Sequence, residues 1–201
     1  MKRVYMVLGA IGSGKSRVLH NILQSEELRG AVLISSDAYK EKFYNIPVSK
    51  PNNGYRAADE LMMKAFELAA KDDKVEKIIV EFCPLRQNKI KTLLSIIEAF
   101  QLSLVVLFVH TDNDGINKER VESRNKNSDN VSEDKVAQSY SHIFQNVCPF
   151  LEVAEKTYLI DNSGLKDESP CVVGVIKKNL VSICDRRCKW VSKICKNLVD
   201  G

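Results

Sequence analysis

Apolar runs alternate with stretches of helical spacing along most of the chain. VYMVL (Val4 to Leu8), AVLIS (Ala31 to Ser35), KIIVEF (Lys77 to Phe82), LSLVVLFVH (Leu102 to His110) and KTYLI (Lys156 to Ile160) are short and rich in strand formers. Runs of this kind predict strands buried on both faces. Between them, SRVLHNILQ, ADELMMKAFELAAK, NKIKTLLSIIEAF, NKERVESRNK and SEDKVAQSYSHIFQNV predict helices. This alternation predicts an α/β fold, with a mainly parallel central sheet, helices on both faces and right-handed crossovers. YNIPVSKPNNGYR (Tyr44 to Arg56), with two prolines and an Asn-Asn-Gly turn, reads as an irregular stretch: a pocket wall or a plain surface loop. Beyond IDNSG the pattern changes. CVVGVI reads as a short extra strand. Leu180, Ile183, Cys184, Val191, Ile194, Cys195 and Leu198 then form an apolar stripe, predicting an amphipathic helix over about 177–199.

The first strand runs directly into GAIGSGKS, Gly9 to Ser16, which fits G-x-x-x-x-G-K-[ST] without gaps. Glycines let the backbone turn its N–H groups inward onto phosphate oxygens. A helix opening near Gly14 adds its positive end. Lys15 reaches the β- and γ-phosphates, and the Ser16 hydroxyl ligates Mg²⁺. Strand, glycine loop and helix together are the context the motif requires. They make the expected fold a three-layer α/β/α P-loop NTPase with a C-terminal helix. Gly9, Ala10, Ile11, Gly12, Ser13, Gly14, Lys15, Ser16 and Arg17 are the expected nucleotide-binding residues.

Composition narrows the class. The 201 residues suit one domain spanning 1–201. A net charge of +4 suits an anionic substrate without requiring nucleic acid. No apolar run approaches a membrane span. MKRVYMVL is read as the first strand rather than a signal peptide. The six cysteines form no Cys-x-x-Cys pair, and Cys184, Cys188 and Cys195 fall on one face of the expected last helix. A cytoplasmic protein with reduced thiols is expected. That last helix is basic. Packing on the domain is the favoured reading, with a membrane or acidic partner as the alternative.

In parallel sheets, ligands bind beyond the carboxyl ends of the strands. The polar residues there are Ser35-Ser36-Asp37, Glu81, His110-Thr111-Asp112 and Asp161-Asn162-Ser163. Asp37 is placed to orient and deprotonate an acceptor hydroxyl, with a helix N-cap as its structural role. Glu81 is placed to hold Mg²⁺-bound water or the acceptor. Arg120 and Arg124 share a helical face in a lid region over about 112–130, where they would neutralise charge on the transferring phosphoryl group. A guanine-reading motif is not met, because NKNSD has its aspartate one position late. The strand ending in Asp or Asp-Glu of a motor ATPase is not evident.

Taken in order, GAIGSGKS, LISSDAYK, IIVEFCPLR, ERVESR and YLIDNSG resemble the zeta-toxin family of P-loop kinases, and the wider group that includes polynucleotide kinase-like proteins. The resemblance covers roughly Arg3 to Ile176, and only the P-loop is specific by itself. It implies ATP as phosphate donor and Mg²⁺ as cofactor. Lys15 and Ser16 would be phosphate and metal contacts, Asp37 the base, and Glu81 a substrate or metal-water contact. Arg120 and Arg124 would be the phosphate-stabilising pair, Arg86 an acceptor contact and Asn162 a nucleotide contact. The best-known relatives phosphorylate UDP-N-acetylglucosamine. Lys40 stands where the family often has arginine, and Phe82-Cys83-Pro84 replaces smaller residues. Both departures touch the acceptor side.

The expected activity is therefore an ATP-dependent kinase acting on a hydroxyl of a small anionic acceptor, such as a UDP-amino sugar. The alternatives are a polynucleotide or nucleoside kinase and a non-catalytic nucleotide-binding module. Nucleic acid is the less favoured partner, because no aromatic residues interleave with the basic ones near the lid. An antitoxin or regulator protein is a further candidate partner.

Overall fold

The computed structural model describes residues 1–35, 38–39, 53–84, 86–125, 131–164, 168–177, 180–185 and 188–199. Five strands lie parallel: β1 (Arg3–Leu8), β2 (Val32–Ser35), β3 (Lys77–Phe82), β4 (Ser103–His110) and β5 (Lys156–Asp161). Two more, β6 (Cys171–Lys177) and β7 (Leu180–Ile183), continue the sheet antiparallel. The order across the sheet is β2-β3-β1-β4-β5-β6-β7. The expected mainly parallel α/β sheet is thus present. Its P-loop strand lies between β3 and β4.

The alternation of side chains along β1 builds two cores. Val4, Met6 and Leu8 point to one face, where Met62, Phe66, Ile90, Leu93, Ile143 and Phe150 cover them. These come from α2 (Asn53–Lys71), α3 (Gln87–Ala99) and α5 (Glu133–Val153). Tyr5 and Val7 point to the other face, against Val18 and Leu19 of α1 (Lys15–Leu23) and Leu28 of a short 3-10 turn. α4 (Asp114–Asn125) follows β4, and α6 (Lys189–Val199) ends the described chain. Ser132 caps α5, accepting from the Lys135 N–H, with Glu133 and Asp134 in its first turn.

Three expectations change. α2 starts at Asn53, so Asn53, Gly54, Tyr55 and Arg56, at the end of the stretch expected to be irregular, belong to a helix. α5 continues through Pro149 to Val153, six residues past the expected end, and Phe150 and Leu151 in that extension are buried. The last helix spans Lys189–Val199 rather than 177–199. Leu180 and Ile183, which also fit helical spacing, belong to β7, where Val181 pairs with Ile176 and Ile183 with Gly174. In so short a run the two periods are ambiguous, and β-branched residues opposite one another favour the hairpin. Cys184 accordingly follows a strand, Cys188 precedes α6, and the three cysteines share no helical face. Trp190, Val191 and Ile194 bury one side of α6 in the larger core, so this helix packs on the sheet layer as favoured.

Candidate active site

The site grows from the turn between β1 and α1. Gly14 stands at the helix start in the left-handed region, at φ 89°, and a Cβ there would strike the Asn162 amide. Only glycine fits both constraints. No side chain caps α1, which leaves its first-turn N–H groups for an anion. Lys15 folds back, donating from Nζ to the carbonyls of Gly9 at 3.1 Å and Ala10 at 2.9 Å.

Strand register brings the oxygen ligands together. Ser35 of β2 lies beside Glu81 of β3. The Ser16 hydroxyl donates to Glu81 Oε1 at 2.7 Å, and the Ser35 hydroxyl donates to Oε2 at 3.2 Å. This hydroxyl–carboxylate pair beside a phosphate cradle fits a hard divalent cation such as Mg²⁺. Among the described residues no three His, Cys, Asp or Glu side chains cluster as a metal site.

The P-loop backbone is held from three sides. The Ile11 N–H donates to Ser139 Oγ of α5 at 2.8 Å. Asn117 of α4 donates from Nδ2 to the Ile11 carbonyl at 2.8 Å, while its Oδ1 accepts from Thr111 Oγ1 at 2.7 Å. Asn162 donates from Nδ2 to the Ser13 carbonyl at 2.8 Å. Arg120, one turn along α4 from Asn117, donates from Nη2 to the carbonyls of Asn162 and Gly164. Its Nη1 is buried, near Gly14, with no hydrogen-bond partner among the described residues. Burial lowers its pKa from the usual guanidinium value, and the positive charges of Arg17 and Arg124 lower it further.

Gly9 to Arg17, Glu81, Arg120 and Asn162 thus come together. Arg124, in the last turn of α4, is exposed. Arg86 is exposed at the N-cap of α3. Asp37, Lys40 and the part of the lid region over 126–130 lie outside the described residues. His110 ends β4 but turns into the core, between Phe108, Tyr140, Phe144 and Trp190. Asp161 is occupied by Ser163 Oγ at 2.7 Å and Trp190 Nε1 at 3.1 Å. Asn117 and Ser139 escaped the sequence reading. Each left a signal, as a small polar residue on a buried helical stripe: Asn117 one turn before Val121, and Ser139 between Val136 and Ile143.

The fold and the loop define a P-loop α/β protein with a mainly parallel sheet. The chain belongs to the AAA domain family, whose model matches residues 4–144. No curated protein matches its sequence. Among solved structures it is similar to a chain of the AvrRxo1-ORF1:-ORF2 complex, at 13% identity and a TM-score of 0.64 over 97% of this chain. The chain spans 64% of the length of that one, and a further structure of that complex is described as containing ATP. It is similar to a chain of the PezAT chromosomal toxin–antitoxin system of Streptococcus pneumoniae, at 14% identity and TM-score 0.58, covering 99% of this chain and 86% of that one. It is also similar to a gluconokinase from Sinorhizobium meliloti, at 19% identity and TM-score 0.51, covering 99% and 96%. Among the described residues no helix is long and apolar enough to cross a membrane.

Proposed function

We propose that the protein is an ATP- and Mg²⁺-dependent kinase that phosphorylates a hydroxyl of a small anionic acceptor. The observation that carries this reading is the Ser16–Glu81 contact at 2.7 Å, next to a P-loop whose helix start is uncapped. Glu81 brings a buried carboxylate to the serine that the motif assigns to the metal, as phosphoryl transfer needs. Mg²⁺ held by Ser16 with Glu81 would supply neutralisation of phosphate charge. Lys15 and the first-turn N–H groups of α1 hold the β- and γ-phosphates. Asp37, two residues past β2, takes the proton from the acceptor hydroxyl as its oxygen attacks the γ-phosphorus and ADP leaves. Arg120 and Arg124 stabilise the charge on the moving group. Lys40 and Arg86 serve the acceptor side. A UDP-amino sugar is the acceptor suggested by the zeta-toxin resemblance, and the names of the AvrRxo1 and PezAT structures add support for an antitoxin or regulator as partner.

The test is transfer of labelled γ-phosphate to UDP-sugars, nucleosides and 5′-hydroxyl oligonucleotides, with native protein and Asp37→Asn. Label on one acceptor class, lost in the variant, is the expected result. ATP binding without transfer to any acceptor would overturn the kinase reading in favour of a binding module.

A further inference from the structure

α4 and α5 hold opposite ends of one P-loop peptide unit pair. The Ile11 N–H goes to Ser139 of α5, and the Ile11 carbonyl receives Asn117 of α4, each at 2.8 Å. Asn117 and Ser139 are fully buried. Asn117 is itself fixed by Thr111 at the end of β4. The next residue, Gly12, has φ +78°, and a Cβ there would meet the Asn117 carbonyl at 2.5 Å, so α4 also packs directly on the loop. α4 holds the loop a second time through Arg120, whose guanidinium anchors the carbonyl of Asn162 while the Asn162 amide holds Ser13.

Asn117 Nδ2 and Ser139 Oγ bond to the Ile11 backbone, and Thr111 Oγ1 bonds to Asn117 Oδ1. Their common effect is to fix the loop in one shape before any ligand arrives. A loop ordered in advance spares the ordering cost at binding. A loop released at Ile11 must be ordered by the nucleotide itself.

We propose that Asn117 and Ser139 are positioning residues that preorganise the P-loop for nucleotide by clamping the backbone on both sides of Ile11 from two helices. The clamp makes the attitude of α4, which carries Arg120 and Arg124, and the shape of the phosphate cradle a single equilibrium. This inference rests on the nucleotide-binding part of the function proposed above, not on the identity of the acceptor.

The experiment measures ATP and ADP affinity of the full chain by calorimetry, together with amide exchange of residues 9–17 without nucleotide and the melting temperature. The variants are Asn117→Ala, Ser139→Ala, the double variant and Ser139→Thr. Each alanine variant is expected to weaken both nucleotides about tenfold, the scale of one lost hydrogen bond with its buried partner left open. Each should also speed exchange at Ile11. The double variant should resemble the single ones, because both release the backbone of the same residue, Ile11. Ser139→Thr keeps the hydroxyl and should restore affinity. If an alanine variant does not fold, Asn117→Ser and Ser139→Cys give the same comparison. Variants that bind as tightly as native protein, or losses that simply add in the double variant, would overturn the clamp. Native protein that binds neither ATP nor ADP would instead overturn the nucleotide reading itself, and the clamp with it.

Discussion

Arg120 is anchored through one arm of its guanidinium: Nη2 donates to the Asn162 carbonyl at 2.8 Å, while Nη1 is buried beside Gly14 with no hydrogen-bond partner among the described residues. A desolvated donor held next to a phosphate cradle is preorganised for negative charge. Arg124, one turn further along α4, is exposed. The two arginines should therefore separate kinetically. Arg120→Ala is expected to lower kcat for phosphoryl transfer by about 10²–10³, the range for losing one preorganised donor, and to raise the KM for ATP because Asn162 is released too. Arg124→Ala should lower kcat with little change in KM. Steady-state kinetics with both variants checks this, and equal KM for the two would contradict it.

The Ser16–Glu81–Ser35 cluster predicts a metal-dependent phenotype. Glu81→Gln keeps the shape of the side chain and removes its charge. Mg²⁺-dependent ATP affinity should fall, while affinity measured in excess chelator should stay near that of native protein. Titration with and without Mg²⁺ reads both numbers. Equal losses under the two conditions would show that Glu81 acts on the fold of the loop instead.

Much of this site is legible in the sequence, and the parts that are not have a physical reason. GAIGSGKS announces itself because glycines, lysine and serine at fixed spacing have few other uses. Glu81 can be found because a charged residue at the end of a buried run stands out, and the strand register then explains its meeting with Ser35. Asn117 and Ser139 could not be found by motif, since they act through backbone groups of Ile11 that no sequence pattern displays. The β6–β7 hairpin was hidden for a different reason. Leu180, Ile183 and Cys184 satisfy helical spacing as well as they satisfy a strand, and the pairing with Ile176 and Gly174 that decides between them is tertiary.

The far end of α2 depends on one lysine from the start of the chain. Lys2 Nζ donates to the carbonyls of Ala69 at 2.9 Å, Ala70 at 2.6 Å and Asp72 at 2.8 Å. These carbonyls lie at the helix end, where the Asp72 carbonyl also accepts the Val75 N–H at 2.9 Å. Lys2→Met keeps the stem and removes the donor. A loss of about 1.5–3 kcal/mol is expected, the range for hydrogen bonds to a charged group. Urea unfolding of native protein and variant reads it, and an unchanged midpoint would show that solvent replaces the lysine without cost.

His110 predicts a pH dependence of stability that belongs to the core rather than to the site. Its ring is fully buried, stacked 4.7 Å from Tyr140, and neither nitrogen has a hydrogen-bond partner among the described residues. Burial lowers its pKa to about 3, helped by the nearby Lys193 ammonium. In the unfolded chain the imidazole takes its proton near pH 6.5. Between these values the unfolded state binds more protons than the folded one, so stability is complete above about pH 6.5 and declines as pH falls toward 3. The slope approaches about 1.4 kcal/mol per pH unit for this one group. His110→Phe removes the titration and should flatten the stability curve by up to one proton across that window. Denaturant unfolding of both proteins at pH 7, 6, 5 and 4 measures it. Parallel curves would mean that the ring reaches water or a partner as the acid limit is approached, and that carboxylates alone set the acid sensitivity.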